Sequence, residues 1–224
     1  MATIGRLSQN MLELFARNSR ELSTVEGNIL SSARDKEVKT IYVTSCRPSE
    51  GKTTSAISMA YTLSNKINFK VLLVDGNLHS PMIHKLFNVG NAYGFSDLIV
   101  SDMDFGEVIL KTEYENLQII THGSTNVDSL DVMKINAFFR DKFDSLKQEF
   151  NYIIFDGCPV FGFSDAAVVA RCFDGIVFVV ECEKTRWEIF QQAKEKLEMA
   201  GGNILGVVLN KRKYYIPEAL YGKI

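Results

Sequence analysis

The run Thr40-Ile41-Tyr42-Val43-Thr44-Ser45-Cys46-Arg47-Pro48-Ser49-Glu50-Gly51-Lys52-Thr53-Thr54 reads as a strand, a tight loop and the start of a helix in direct succession. Thr40–Thr44 is rich in β-branched and aromatic residues, and Ala56, Ala60, Leu63 and Ile67 follow the loop at helical spacing. A loop in that setting turns backbone N–H groups and the positive end of a helix toward one point, where a phosphate chain is stabilised. Lys52 would add an ammonium for the β- and γ-phosphates of ATP, and Thr53 a hydroxyl for Mg²⁺. Ser49, Glu50, Gly51, Lys52, Thr53 and Thr54 are therefore the candidate nucleotide-binding residues. Cys46 stands where the usual G-x-x-x-x-G-K-[ST] pattern has its first glycine, so an ordinary β-to-α turn containing Gly-Lys-Thr is the competing reading.

Outward from this loop, further strand-type apolar runs fall at Val71–Asp75, Leu117–Thr121, Tyr152–Asp156, Ile176–Val180 and Ile204–Asn210, separated mostly by helix-period segments. Such alternation predicts an α/β fold: a mostly parallel central sheet with helices on both faces. Val71–Val74 and Ile176–Val180 are almost unbroken apolar runs, as strands covered on both faces require. Asp75 and Asp156 each end such a run, so a parallel sheet brings both acids to the rim that carries Lys52. There they are candidate Mg²⁺ ligands and catalytic carboxylates, although aspartate also ends strands for purely local reasons.

Composition narrows the class. The 224 residues, 46% of them hydrophobic, with a net charge of −2, fit one soluble domain and give no sign of nucleic-acid binding. No run approaches the ~20 apolar residues of a membrane span, which predicts a cytoplasmic protein. The four cysteines, Cys46, Cys158, Cys172 and Cys182, lack C-x-x-C spacing and are expected to be reduced thiols rather than zinc ligands. Cys46 and Cys158 lie in the loops assigned to the nucleotide, so oxidation there is expected to interfere with binding.

Three motifs together resemble the Walker A, Walker A′ and Walker B motifs of the bacterial tyrosine kinases (BY-kinases): Pro48-Ser49-Glu50-Gly51-Lys52-Thr53, Val71-Leu72-Leu73-Val74-Asp75-Gly76-Asn77, and Tyr152-Ile153-Ile154-Phe155-Asp156-Gly157-Cys158-Pro159. The likeness continues through Tyr93–Leu98, Ser164–Ala167 and Leu205–Asn210. It implies a single-domain P-loop NTPase fold and control of capsular or exopolysaccharide assembly. Residue by residue, it implies that Lys52 grips the phosphates, that Thr53 and Asp156 organise Mg²⁺, with Asp75 beside them, and that Asp75 is the base for a tyrosine hydroxyl. Asn210 resembles the position that meets adenine, with an amide that merely satisfies a strand end as the alternative. Tyr214, Tyr215 and Tyr221 resemble the C-terminal phospho-acceptor cluster of the family. The expected organisation is an N-terminal helical segment at 1–37, an ATP-binding kinase-like domain at 38–213 and a tyrosine-containing tail at 214–224.

The chain also departs from the family pattern. Asn77 replaces the second acid of Walker A′, which predicts that ATP binding survives better than catalysis. Gly157 and Cys158 replace the Thr-Pro of Walker B. Arg47 stands where the related partition ATPases carry a signature lysine. The stretch Glu26–Ser32 lacks both arginines of the ring-forming Glu-x-x-Arg-x-x-Arg motif, so a monomer or dimer is expected. Ile4, Leu7, Met11, Leu14 and Phe15 form a helical stripe that reads as core, with docking on a partner as the alternative. By resemblance, that partner is a membrane-bound polysaccharide co-polymerase whose cytosolic tail activates the kinase, which would hold this chain at the inner face of the membrane. A degraded nucleotide-binding regulator and a partition-type ATPase are the competing functions.

Overall fold

A computed structural model describes residues 4–18, 23–24, 27, 31, 38–66, 69–90, 93–101, 103–125, 132–162 and 165–213. Strands β1 (Thr40–Ser45), β2 (Val71–Asp75), β3 (Leu110–Lys111), β4 (Leu117–Ile120), β5 (Tyr152–Asp156), β6 (Gly175–Glu181) and β7 (Ile204–Asn210) form one sheet. Its order is β3-β4-β2-β5-β1-β6-β7. All pairings are parallel except the edge pair β3–β4, where Leu110 faces Ile119. Every residue of β1, β2 and β5 is buried, which is why these strands read as continuous apolar runs.

Alternation along the strands sends side chains to two cores. Ile41, Val43, Leu73, Ile154 and Val179 pack beneath α1 (Gln9–Arg17), α2 (Lys52–Lys66) and α3 (Ile83–Leu86). Tyr42, Leu72, Val74, Phe155 and Phe178 meet the opposite layer: α4 (Phe95–Val100), α5 (Phe105–Val108), α6 (Val132–Asp141), α7 (Phe143–Glu149), α8 (Asp165–Ala170) and α9 (Trp187–Met199). Helices thus cover both faces, as the α/β alternation implied. Rings of Phe95, Phe138, Phe139, Phe143, Phe155 and Phe173 interlock on that second side, mostly edge to face.

Two features differ from the sequence reading. β3 is too short to carry a period, and Thr121 lies outside β4. The carbonyls of Thr121 and His122 instead accept the N–H groups of Phe95 and Ser96, so the chain leaves the ladder to hold the start of α4. The N-terminal stripe is core in its greater part: Leu7, Met11 and Phe15 are buried, whereas Ile4 and Leu14 are exposed. Gly5 precedes α1 in a parallel bridge to Thr112. Glu26, Asn28–Leu30 and Ser32 of the ring-motif stretch, Ile67 of the helical stripe, and Tyr214, Tyr215 and Tyr221 lie outside the described residues.

Candidate active site

Parallel pairing sets three strand ends side by side. β5 lies between β2 and β1, with Asp75 directly opposite Asp156 and Val43 also opposite Asp156. The loop after β1 rises from this rim and α2 begins at Lys52. No acidic residue occupies the first turn of α2, so its positive end is left available for an anion. Lys52 is buried, and its ammonium opposes the rise in the Asp156 pKa that burial causes. The Thr53 hydroxyl donates to Asp156 Oδ2 at 2.6 Å.

Neither acid is held by both of its oxygens. Asp75 Oδ2 accepts the N–H groups of Met82 (3.1 Å) and Ile83 (2.9 Å) at the start of α3. Among the described residues, Oδ1 of Asp75 and Oδ1 of Asp156 are buried and have no partner. Burial, and then the charge of Asp156, pushes the Asp75 carboxyl above its ordinary range. Burial raises Asp156 too, against the opposing pull of Lys52 and Thr53. Two orphaned carboxylate oxygens beside a hydroxyl make a hard oxygen donor set. Such a set fits Mg²⁺, which binds through one or two carboxylates and completes its shell with water and phosphate. No cluster of three or more His, Cys, Asp or Glu side chains suited to a metal occurs among the described residues.

The loop places its other members differently. Ser49 is exposed at the apex with φ of 66°, and Gly51 follows at 98°. A left-handed non-glycine residue costs about 1–3 kcal/mol, so surrounding contacts must hold Ser49 there. Thr54 lies half-buried in the first turn of α2. The Glu50 side chain turns inward and accepts the Arg47 N–H at 2.9 Å, so only its backbone is left to face a phosphate. Asn210 Nδ2 donates to the Glu50 carbonyl at 2.9 Å. A Cβ on Gly51 would lie 1.9 Å from that nitrogen, so at a φ of 98° any other residue would be strained and would displace the Asn210 amide. The Asn210 amide thus ties the end of β7 to the phosphate loop.

Three residues that depart from the family pattern, Gly157, Cys158 and Asn77, meet neighbours that the sequence did not signal. The Tyr42 ring fills the space beside Gly157, where a Cβ would come within 2.1 Å of it. Tyr42 Oη accepts the Cys158 N–H at 3.0 Å, a donor that a proline would lack. Asn77 Nδ2 donates to the Ser80 carbonyl at 2.9 Å, and Asn77 Oδ1 lies 3.8 Å from Cys158 Sγ. These residues close the loop after β2 onto the loop after β5. The cysteines are free thiols, Cys46 and Cys158 buried. Burial, followed by the Glu50 charge, pushes Cys46 up to about 12, so it carries no thiolate at neutral pH. Within the likeness at Tyr93–Leu98, Asp97 accepts from Gly94, Ser124 and Thr125 and braces the turn after β4.

Comparison with known proteins gives the same direction. Residues 38–199 match the family described as an AAA domain. Over 193 residues the chain is 31% identical to the putative tyrosine-protein kinase CapB of Staphylococcus aureus, covering 86% of this chain and 84% of that protein. It is also 31% identical over 177 residues to the tyrosine-protein kinase CpsD of Streptococcus agalactiae, covering 79% and 76% of the two chains. The crystal structure of the chimerical protein CapA2B2 superposes with a TM-score of 0.81 at 29% identity, across 95% of this chain and 96% of that one.

Proposed function

Because this chain belongs to the bacterial tyrosine kinases of the AAA-domain family, we propose that it transfers the γ-phosphoryl group of ATP to tyrosine hydroxyls. Its targets include Tyr214, Tyr215 and Tyr221 of its own tail, and its role is regulation of capsular or exopolysaccharide assembly. A membrane-bound polysaccharide co-polymerase raises this activity through its cytosolic tail and recruits the chain to the inner face of the membrane. No helix among the described residues is long and apolar enough to cross a membrane. The observation that carries the reading is the adjacent pair Asp75 and Asp156, each with one orphaned buried oxygen, beside Lys52 and Thr53.

In this reading Lys52 neutralises the β- and γ-phosphates, while Thr53 and Asp156 would hold Mg²⁺, with Asp75 beside them. When bound, the ion supplies the positive charge that phosphoryl transfer demands. The hydrogen bonds from Met82 and Ile83 fix Asp75 through Oδ2 and leave Oδ1 as the oxygen open to the acceptor. As the phenol oxygen bonds to the γ-phosphorus and the bond to the ADP oxygen breaks, Asp75 Oδ1 takes the phenol proton. A carboxylate whose pKa is raised suits that task.

Incubation of the purified chain with ATP and Mg²⁺, alone and with a candidate activator tail, followed by phosphotyrosine mapping, tests the proposal. Phosphate on tail tyrosines, stronger with the activator, is expected; none under either condition rejects the kinase. Lys52→Met should abolish nucleotide binding by calorimetry, and unchanged affinity would show that the loop has been misread. The amide at position 77, committed to Ser80, favours a second reading: a nucleotide-binding regulator without transfer activity. Tight Mg·ATP binding with no phosphotyrosine in either arm identifies that case.

A further inference from the structure

We propose that Thr185 and Lys211 are positioning residues of the phosphate loop, acting through Glu50 and Ser49 rather than on the nucleotide itself. The proposal rests on the nucleotide reading above and adds the mechanism that shapes its binding loop.

The loop lacks the first glycine of its pattern, and Cys46 in that place is fully buried. Its apex nevertheless adopts positive φ at Ser49 as well as at Gly51. The turn after β6 and the end of β7 supply the grip. Thr185 Oγ1 donates to Glu50 Oε1, while Glu50 Oε2 accepts the Arg47 N–H, so one buried carboxylate ties both shoulders of the loop to the β6–α9 turn. Lys211 Nζ donates to the Ser49 carbonyl at 2.6 Å and pairs with Glu181 Oε2 at 3.1 Å. Asn210 holds the intervening Glu50 carbonyl. The two gripping segments are themselves joined: the Cys182 N–H donates to the Asn210 carbonyl at 2.9 Å, and the Thr185 N–H to the Glu181 carbonyl at 3.1 Å.

This arrangement gives Glu50 a reason to face inward. A carboxylate turned outward would repel a triphosphate, whereas here its charge is spent on a backbone N–H and a hydroxyl. Pulling the Ser49 and Glu50 carbonyls toward Lys211 and Asn210 turns peptide oxygens away from the phosphate side. The opposite ends of those peptides, their N–H groups, are then presented where anionic oxygens would lie. Neither Thr185 nor Lys211 stands out in the sequence, because each acts across at least 135 residues on a loop it does not adjoin.

The test uses the full chain with Mg·ADP as probe, measured by calorimetry and by emission of Trp187. Trp187 is the single tryptophan, exposed at the start of α9, two residues from Thr185. Thr185→Val is expected to weaken Kd about tenfold and Thr185→Ser to stay within about twofold, since only the hydroxyl matters. Lys211→Met is expected to weaken binding at least about threefold. Wild-type Kd for Thr185→Val, a Thr185→Ser variant as weak as the valine, or a lowered urea midpoint with Kd untouched would each overturn the proposal. Should Thr185→Val fail to fold, Lys211→Met decides, its side chain being 45% exposed, and wild-type affinity there overturns it. Failure of the nucleotide reading is separable: it shows as unchanged binding in Lys52→Met.

Discussion

Tyr42 faces two residues that depart from the family pattern, Gly157 by shape and Cys158 by hydrogen bonding. The tyrosine on β1 thus fits the altered Walker B motif by shape and by hydrogen bonding. Tyr42→Phe, which removes the acceptor of the buried Cys158 N–H, is expected to cost about 1–3 kcal/mol in urea unfolding. Asn77 behaves alike. Asn77→Asp turns a carboxylate toward the Ser80 carbonyl and should lower stability by about 1–3 kcal/mol in metal-free buffer. Recovery on adding Mg²⁺ would show that the new acid reaches the ion. Asp75 and Asp156 dictate a pH dependence. Their folded-state pKa values are raised, so the native chain holds more protons than the unfolded one between the ordinary carboxylate range and neutrality. The stability this provides is complete below the unfolded value and is lost as pH rises through the folded one. The metal-free urea midpoint is therefore expected to fall from about pH 5 to about pH 7.5, and Asp156→Asn to flatten that fall.

At the scale of elements, legibility followed period and length. Ala56, Ala60 and Leu63 announce α2 and are all fully or almost fully buried. The stripe of α1 was equally visible, yet its spacing alone could not tell Phe15, packed 5.4 Å from the Tyr61 ring, from Leu14, which is exposed. Which of two neighbours on a helix turns inward depends on where the helix lies against the sheet. Gly5 sets that placement by its N–H to the Lys111 carbonyl and by its own carbonyl, which accepts the Glu113 N–H. Phe15→Ala should cost about 3–5 kcal/mol in unfolding free energy, as for a core ring elsewhere. A loss below about 1 kcal/mol would place α1 outside the cooperative unit. β3 was illegible because two residues carry no period and its pairing is with a strand.

For the whole molecule, a parallel sheet sets the candidate site groups along one rim in the order of the strands: Asp75 on β2, Asp156 on β5, the loop after β1, and Asn210 at the end of β7. A nucleotide bound across that rim would join the centre of the sheet to its β7 edge and so should stabilise the domain as a unit. Mg·ADP at about 100 times Kd is expected to add about 2.7 kcal/mol to the unfolding free energy, with no gain in Lys52→Met. The phosphate loop, the terminal acids Asp75 and Asp156 and the α/β alternation were determined by sequence alone, because each is a local pattern read within one element. Tertiary structure decided the rest: that Asp75 and Asp156 are cross-strand neighbours, that Glu50 faces inward, and that Gly157 and Cys158 answer to Tyr42. Those outcomes depend on contacts between residues about 80 to 135 positions apart, and no local pattern records which distant side chain will occupy a given space.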